Sequence, residues 1–282
     1  MAEVRPATSA VTAVILNWNR WRDTVACVLS VQAQDYPTLD VLVVDNGSSD
    51  DSEQMLREQL PDTELVQSGR NLGFGGGCNL GIRRAVQCAA KYVWLLNNDA
   101  TVSPQTLSAM VALAEASPGL GAVGAVIHDA DGSERIQCWG GGVVNTWLGR
   151  SRPNLMPGAL DYLTGACLLL RVDALSQIGL FDEKRYFMYW EDVDLCFRLR
   201  RAGWGLAVAD RTQVWHEASS SLGLGSPQAD CYATCSVIRF LRVYARFPTL
   251  SIALNVISRM LLRLGGGRWM HLAAVYRGFR KA

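Results

Sequence analysis

Lys91-Tyr92-Val93-Trp94-Leu95-Leu96-Asn97-Asn98-Asp99 decides the fold. Its apolar middle follows a helical pattern and is cut off by three polar residues, the signature of a buried strand in a parallel sheet. Asn97, Asn98 and Asp99 then project from the carboxyl edge of that strand, where open α/β sheets bind ligands. Asp99 is the one formal charge there, a hard oxygen ligand that suits Mg2+ or Mn2+ bridging to a diphosphate. The plainer reading of the same three residues is a turn that caps a helix starting near Pro104.

Outward from this strand, short apolar runs alternate with helical patterns. Residues 12–16 and 40–44 read as strands and 64–67 as a weaker one. Residues 21–31 read as a helix, and a second runs to about Leu60 with Ser49 or Asp50 as its cap. A glycine-rich loop, Arg70-Asn71-Leu72-Gly73-Phe74-Gly75-Gly76-Gly77, leads into a helix over 78–90. Such alternation predicts a parallel sheet with right-handed crossovers, here a nucleotide-binding α/β half over residues 1–100. The first strand-to-helix turn, Asn17-Trp18-Asn19-Arg20, lacks the glycines of a dinucleotide site, and no P-loop occurs. Asp45 at a strand end can accept from a ribose hydroxyl or a base N–H, and Arg70 can face base or phosphate. Each is equally readable as a turn residue or a solvated charge.

Beyond Asp99 the pattern gives a helix over 104–116, a buried strand over 121–127, and an irregular Gly- and Pro-containing stretch over 128–160. Asp129-Ala130-Asp131-Gly132 reads as a hairpin turn within a substrate-facing loop region. A strand over 163–170 carries Gly165, which lets another group approach the backbone. Val193, Cys196, Phe197 and Arg200 share a helical face with Leu195 and Leu199 beside it, so Glu191, Asp192 and Asp194 fall in the first turn. The helix dipole alone favours acids there by about 0.3–1 kcal/mol. It does not explain Tyr186, Phe187, Tyr189 and Trp190 just ahead, an aromatic wall beside paired carboxylates of the kind a sugar site uses. Packing raises the pKa of such a carboxylate, and its neighbour opposes ionisation. Strands over 205–209 and 214–216 follow, the second ending in His216, one of three histidines.

The 282 residues, 49% hydrophobic and 19% charged, describe a folded chain, and a net charge of +1 argues against nucleic-acid binding through global charge. Eight cysteines show no zinc spacing and read as buried free thiols of a reducing compartment. Residues 1–10 lack the pattern of a signal peptide, and no apolar run reads as a membrane span. After Asp230 there is no acidic residue, while Arg239, Arg242, Arg246, Arg259, Arg263, Arg268, Arg277, Arg280 and Lys281 are interspersed in apolar helical runs over 236–247, 250–264 and 269–279. That composition reads as a segment for a membrane surface, against helices packed on the rest of the chain or on a second subunit. The organisation is therefore a catalytic domain over 1–228, with an acceptor half over 101–228, and a basic helical segment over 229–282.

Ile15-Leu16-Asn17-Trp18-Asn19, Val44-Asp45-Asn46-Gly47-Ser48, Arg70-Asn71-Leu72-Gly73-Phe74, Asn97-Asn98-Asp99, Gly179-Leu180-Phe181-Asp182-Glu183, Trp190-Glu191-Asp192-Val193-Asp194-Leu195 and Trp215-His216 together resemble the inverting family 2 glycosyltransferases of the GT-A fold, the rhamnosyltransferase-like members above all. The resemblance runs in family order from about residue 11 to about residue 223. It implies a Rossmann-like, mostly parallel sheet flanked by helices, a nucleotide-sugar donor with dTDP-rhamnose favoured, Mn2+ or Mg2+, and a glycan or lipid-linked glycan acceptor. It also implies a cytoplasmic chain working at the inner face of the membrane, and leaves an oligomer open.

Carried over residue by residue, Asn17, Trp18, Asn19, Asp45, Asn46, Arg70, Asn71, Gly73 and Phe74 would hold the donor with Asn97, Asn98 and Asp99. Asn97-Asn98-Asp99 stands where the family has Asp-x-Asp; Asn97 removes one charge and leaves Asp99 as the main ligand. His216 stands at a third metal-ligand position. Gly165, Ala166 and Trp190 belong to the sugar and acceptor side. Asp192 is assigned as the base with Glu191 as its rival, and Asp194 as the residue that fixes the helix start. A nucleotidyltransferase would want a basic phosphate loop after the first strand, and a non-catalytic scaffold would have lost the metal and acidic motifs.

Overall fold

The computed structural model describes residues 9–217 and 226–282. The reading of residues 1–8 as no leader, and the end of the motif run near 223, lie outside the described residues. The chain opens as β1 (Val11–Asn17), α1 (Trp21–Gln32), β2 (Leu39–Asp45), α2 (Ser52–Gln59), β3 (Glu64–Gln67), α3 (Gly73–Gln87) and β4 (Tyr92–Asn97). It continues through β5 (Ala100–Val102), α4 (Thr106–Ala116), β6 (Leu120–Asp129), β7 (Ile136–Trp139), β8 (Gly141–Asn145), β9 (Arg150–Pro153), β10 (Tyr162–Leu163) and β11 (Cys167–Arg171). Then come α5 (Val172–Ile178), α6 (Glu191–Arg201), β12 (Gly205–His216), α7 (Pro227–Tyr244), α8 (Pro248–Gly265) and α9 (Trp269–Lys281).

The large sheet has the order β3-β2-β1-β4-β11-β6-β12-β5, with β7 paired to β6; β10-β8-β9 form a small second sheet. β1, β2, β3, β4, β6 and β12 run one way, and β5, β7 and β11 the other. Carboxyl ends at Asn17, Asp45, Asn97 and His216 therefore share one edge, and antiparallel β11 brings its start, just after Gly165 and Ala166, to the same edge. A flat sheet would put β5 about 19 Å from β4, four strand spacings away. The link from Asn97 to Ala100 spans at most about 11 Å. The sheet must curl, and His216, paired with Ala100 in β12–β5, comes round to the end of β4.

Both faces of the sheet are buried, which is why its central strands read as continuous apolar runs. Tyr92, Trp94 and Leu96 face a core shared with α1, α2 and α4; Val93 and Leu95 face the one beneath α3, α6 and α7. The cysteines are free thiols as expected, and all but Cys88 are buried.

Four local expectations are corrected. Asn97–Asp99 does not cap α4, whose N-cap is Gln105 without a side-chain bond; the three residues turn the chain into β5 instead. The stretch 128–160 is not irregular but holds β7, β8 and β9, strands too short and too half-exposed to alternate clearly. The strand over 163–170 is two, broken at Thr164-Gly165-Ala166, because β10 belongs to the small sheet and β11 to the large one. The glycines at 73, 75, 76 and 77 form no loop but the first turns of α3. Close approaches call for several of them: a Cβ on Gly73 would run into the Phe187 carbonyl and one on Gly75 into Phe181, while the helix lies so tight on β1 that one on Gly77 would meet Leu16 and one on Gly81 Val14.

Gly81→Ala should therefore destabilise the fold by about 1–3 kcal/mol through overpacking, despite the better helix propensity of alanine. The check is the urea midpoint, which should fall at unchanged slope; an unchanged or raised midpoint would show that helix and strand part freely here.

Candidate active site

The common strand edge opens into a cavity of about 300 Å³. Asn97, Asn98, Asp99 and His216 line one side, Glu191 and Asp192 another, and Gly165 and Ala166 lie with Thr164 between them. Trp18, Asn46, Asn71, Gly73 and Phe74 complete the wall toward the β1 and β2 ends. Thirteen of the expected residues thus converge on one space.

Five do not line it. Asn17 and Asp45 are buried at the edge, where Asn17 Nδ2 donates to Asp45 Oδ1 at 2.8 Å and Asn17 Oδ1 accepts from Thr24 at 2.8 Å. Asn19 ties the turns together: its N–H donates to Ser48 Oγ, and its Oδ1 accepts from Ser49 N at 2.7 Å. Arg70 is exposed, with its backbone pressed against Gly47, whose φ of +69° and lack of Cβ allow that approach. Trp190 points inward, 8% exposed, with its ring 4.7 Å from Phe240 of α7. Of the expected aromatic wall only Tyr189 reaches the cavity; Tyr186 is buried, and Phe187 stacks on Tyr232.

Asn46 shapes the donor side. Its Nδ2 donates to the carbonyl of Gly73, and its Oδ1 accepts from Leu72 N at 3.0 Å, so β2 holds the start of α3. Gly73 has φ +78°, and a Cβ there would collide with the Phe187 carbonyl, which accepts from Phe74 N at 3.0 Å.

His216 Nε2 lies 3.2 Å from Asp99 Oδ1 and 3.1 Å from Asn97 Nδ2. On its other side, Nδ1 is 2.8 Å from Gln137 Oε1. The Gln137 amide is oriented by Nε2 donating to Asp129 Oδ1 at 3.0 Å, so its oxygen faces the ring and Nδ1 carries the hydrogen. With its hydrogen on Nδ1, the ring turns Nε2 toward the Asn97 amide and the Asp99 carboxylate. Two electron-rich atoms at that distance suit a shared divalent cation, and a second-shell acceptor on the far nitrogen is the usual support for a ligating histidine. No cluster of three or more His, Cys, Asp or Glu among the described residues holds a metal unaided. The donor set fits an ion completed from outside the protein. Gln137 was missed because it lies in the stretch read as irregular.

Glu191 and Asp192 begin α6 and differ in their partners. Asp192 Oδ2 accepts from Gly165 N at 3.1 Å and Oδ1 from Val193 N at 2.8 Å. Burial raises its pKa, and these N–H groups hold it back by favouring the carboxylate. Glu191 Oε2 is buried with no hydrogen-bond partner among the described residues. Burial first, then the Asp192 charge, pushes Glu191 up to about 8. Glu191, with no donor to favour its carboxylate, is thus the more readily protonated member of the pair, and Asp192 the one whose charged form the N–H groups support. Asp194 does not fix the helix start; it is buried, accepting from Tyr244 of α7 at 2.8 Å and from Arg198 at 2.8 Å.

The family described as "Glycosyltransferase like family 2" matches residues 6–228. The chain is 34% identical over 211 residues to the N-acetylglucosaminyl-diphospho-decaprenol L-rhamnosyltransferase of Mycobacterium tuberculosis, covering 65% of this chain and 68% of that one. It is 27% identical over 206 residues to the galactofuranosyltransferase GlfT1 of Mycolicibacterium smegmatis, covering 70% and 67%. Among solved structures it is similar in fold to the mannosyltransferase PcManGT from Pyrobaculum calidifontis in complex with GDP-Man and Mn2+. There the TM-score is 0.63 at 18% identity, over 98% of this chain and 74% of that one.

The elevated Glu191 pKa makes a stability prediction. Between its ordinary 4.5 and about 8, the folded state holds a proton that the unfolded chain has lost. The stabilisation from this group is complete below 4.5 and lost as pH rises through about 8. Glu191→Gln should therefore melt higher than the parent at about pH 9, with the gap closing toward about pH 5. A melting difference that does not change with pH would contradict the buried, protonated acid.

Proposed function

The chain belongs to the family 2 glycosyltransferases, and on that premise we propose that it transfers a sugar, rhamnose from dTDP-rhamnose in the first instance, to a hydroxyl of a lipid-linked glycan with inversion at the anomeric carbon. One observation carries the reading: paired carboxylates face the Asn97–Asp99–His216 cluster across a single cavity. Inversion needs that opposition, with the leaving group on one side of the sugar and the acceptor oxygen on the other. The lipid-linked acceptor and the rhamnosyl donor are taken from the name of the mycobacterial relative.

In this reading Asp99 and His216 would hold a divalent cation, with Asn97 beside them and Gln137 keeping the ring in the tautomer that could bind it. A cation bound there would supply positive charge to the diphosphate leaving group. Trp18, Asn46, Asn71, Gly73 and Phe74 bound the donor's side of the cavity, and Asn98 anchors that edge to α1 by donating to Thr24 at 3.0 Å. Asn17, Asn19 and Asp45 keep the first two strand ends in place, and Arg70 closes on the base or phosphate from outside. Gly165 and Ala166 leave room for the acceptor, and the Gly165 N–H steers Asp192. Asp192 takes the acceptor hydroxyl proton as the oxygen attacks, while Glu191, uncharged, spares it a second negative neighbour. The buried Trp190 supports this turn from behind.

Calorimetry and turnover test the parts separately. Asp99→Ala should abolish the Mn2+-dependent part of dTDP-rhamnose binding, with His216→Ala and Gln137→Leu weakening it less. Metal-dependent binding that survives in Asp99→Ala would overturn the site. Asp192→Asn should bind donor normally yet lose roughly 10²–10⁴-fold in turnover. If Asp192→Asn turns over normally and Glu191→Gln is dead, the base is Glu191. Because burial raises the Asp192 pKa, the acid limb of kcat/KM should lie above the ordinary carboxylate range, with activity lost as pH falls through it.

A further inference from the structure

Asn255, Arg259 and Arg263 recur at every fourth residue of α8 and so share one side of the helix. That side faces the protein. Asn255 is 1% exposed, and its Nδ2 donates to the carbonyls of Leu148 at 2.7 Å and Gly149 at 3.0 Å, in the turn between β8 and β9. Leu250, Leu254 and Leu261 are exposed on the outward side and take no part in this contact. Arg150 opens β9 directly after the turn. Helix and hairpin thus bring three arginines together around a cavity of about 210 Å³, lined by Arg150, Asn255, Arg259, Leu262 and Arg263.

Positive charge is in excess there. Among the described residues the carboxylate acting on the cluster is Asp230 of α7, and it is already engaged. Arg263 Nε and Nη2 donate to its two oxygens at 3.1 and 2.5 Å, and His271 Nδ1 lies 2.8 Å from Oδ2. The side chains of Arg150 and Arg259 make no hydrogen bond or ion pair with any described residue, so their donors are spare. Burial holds the half-buried Arg259 guanidinium below its ordinary range; Asp230 opposes that shift, and the Arg263 and Arg150 charges add to it. The three guanidinium groups therefore act on one another. Arginines that merely form a solvated rim extend apart into water, whereas these are fixed together by helical spacing and by the hairpin turn.

We propose that the Arg150–Arg259–Arg263 pocket binds a phosphate group, clamped between the β8–β9 hairpin and α8. A planar carboxylate is satisfied by one guanidinium fork, as Asp230 is by Arg263. The several oxygens of a phosphate point in different directions and can accept from arginines on two separate elements at once. The pocket sits on the inward side of α8, against the hairpin, which restricts the ligand to a small soluble one, inorganic phosphate or a phosphate monoester. It shares no lining residue with the cavity of Asp99 and Asp192, so the inference stands apart from the transferase reading.

Full-length protein is titrated calorimetrically at low salt, with EDTA present, against inorganic phosphate, glucose 1-phosphate and sodium chloride of matched ionic strength. The parent should bind phosphate in preference to chloride, and phosphate should raise its melting temperature. Arg150→Gln and Arg259→Gln should each weaken binding about tenfold, the loss of charge-assisted hydrogen bonds, and should blunt the rise in melting temperature. Circular dichroism verifies the fold, and should Arg259→Gln misfold, exposed Arg150 carries the test. Asp99→Ala should bind phosphate as the parent does, which separates this pocket from the donor cavity and its failure from failure of the transferase reading. Tighter binding of glucose 1-phosphate than of inorganic phosphate, lost in the same variants, would assign the pocket to a phosphate monoester; the reverse order would assign it to the free anion. The proposal is overturned if the parent binds phosphate no better than chloride, if Arg150→Gln and Arg259→Gln bind it as tightly as the parent, or if Asp99→Ala alone abolishes it.

Discussion

The link between β4 and β5 constrains everything else. Asn98 and Asp99 are all that separate a central strand from one that pairs at the far end of the sheet, so the sheet closes on itself around them. That closure brings His216, from the last strand, against Asp99, from the fourth. It also explains why antiparallel β11 is needed: a strand entering from the opposite direction starts, rather than ends, at the site. Its leading glycine then offers an N–H to Asp192 where a parallel strand would have offered a carbonyl end. The Asp99–His216 pair, the acid pair and the backbone donor between them follow from one short connection.

Polar side chains at this edge divide between contacting the cavity and holding it open. Asn17, Asp45, Thr24 and Asn98 bond to one another or to their neighbours and fix the relative positions of β1, β2, β4 and α1. A buried network of this kind is stabilising only when its members are satisfied. Glu191 is the contrasting case, a buried acid with an unsatisfied oxygen. Its cost is tolerable because protonation removes the charge.

Much of this was legible in the sequence, for identifiable reasons. The inner parts of β1, β2 and β4 are buried on both faces, so their apolar runs are unbroken, and each ends in a polar residue that bonds along the strand edge or lines the cavity. The acids of α6 announced themselves by crowding into one helical turn. Where partners are distant the sequence was silent: Asp194 binds Tyr244 fifty positions later, and nothing local tells that from a helix-start acid. Gln137 was invisible because β6 and β7 pair across a bulge, with no clean alternation. The glycines of α3 misled because propensity ranks them as loop residues, whereas close approaches to the Phe187 carbonyl, Phe181 and Leu16 decide the use of Gly73, Gly75 and Gly77.

Trp190 misled for a conformational reason that ties the C-terminal helices to the chemistry. Tyr189 and Trp190 have φ of +67° and +70°, consecutive non-glycine residues in the left-handed region. Such backbone costs of order 1–3 kcal/mol per residue and persists only where surroundings enforce it. Here the enforcement comes from α7: Phe240 stacks on Trp190, Ser236 donates to the Met188 carbonyl at 2.8 Å, Tyr232 packs on Phe187, and Tyr244 donates to Asp194. The left-handed turn swings Trp190 inward and leaves Tyr189 on the cavity, so α6 starts with its first two acids on the wall. Gly278 of α9 lets that helix cross close over Cys231 of α7, and α8 is pinned between the Leu148–Gly149 carbonyls and Asp230. The helices that hold the acids in register are thus continuous with the one whose leucines face outward.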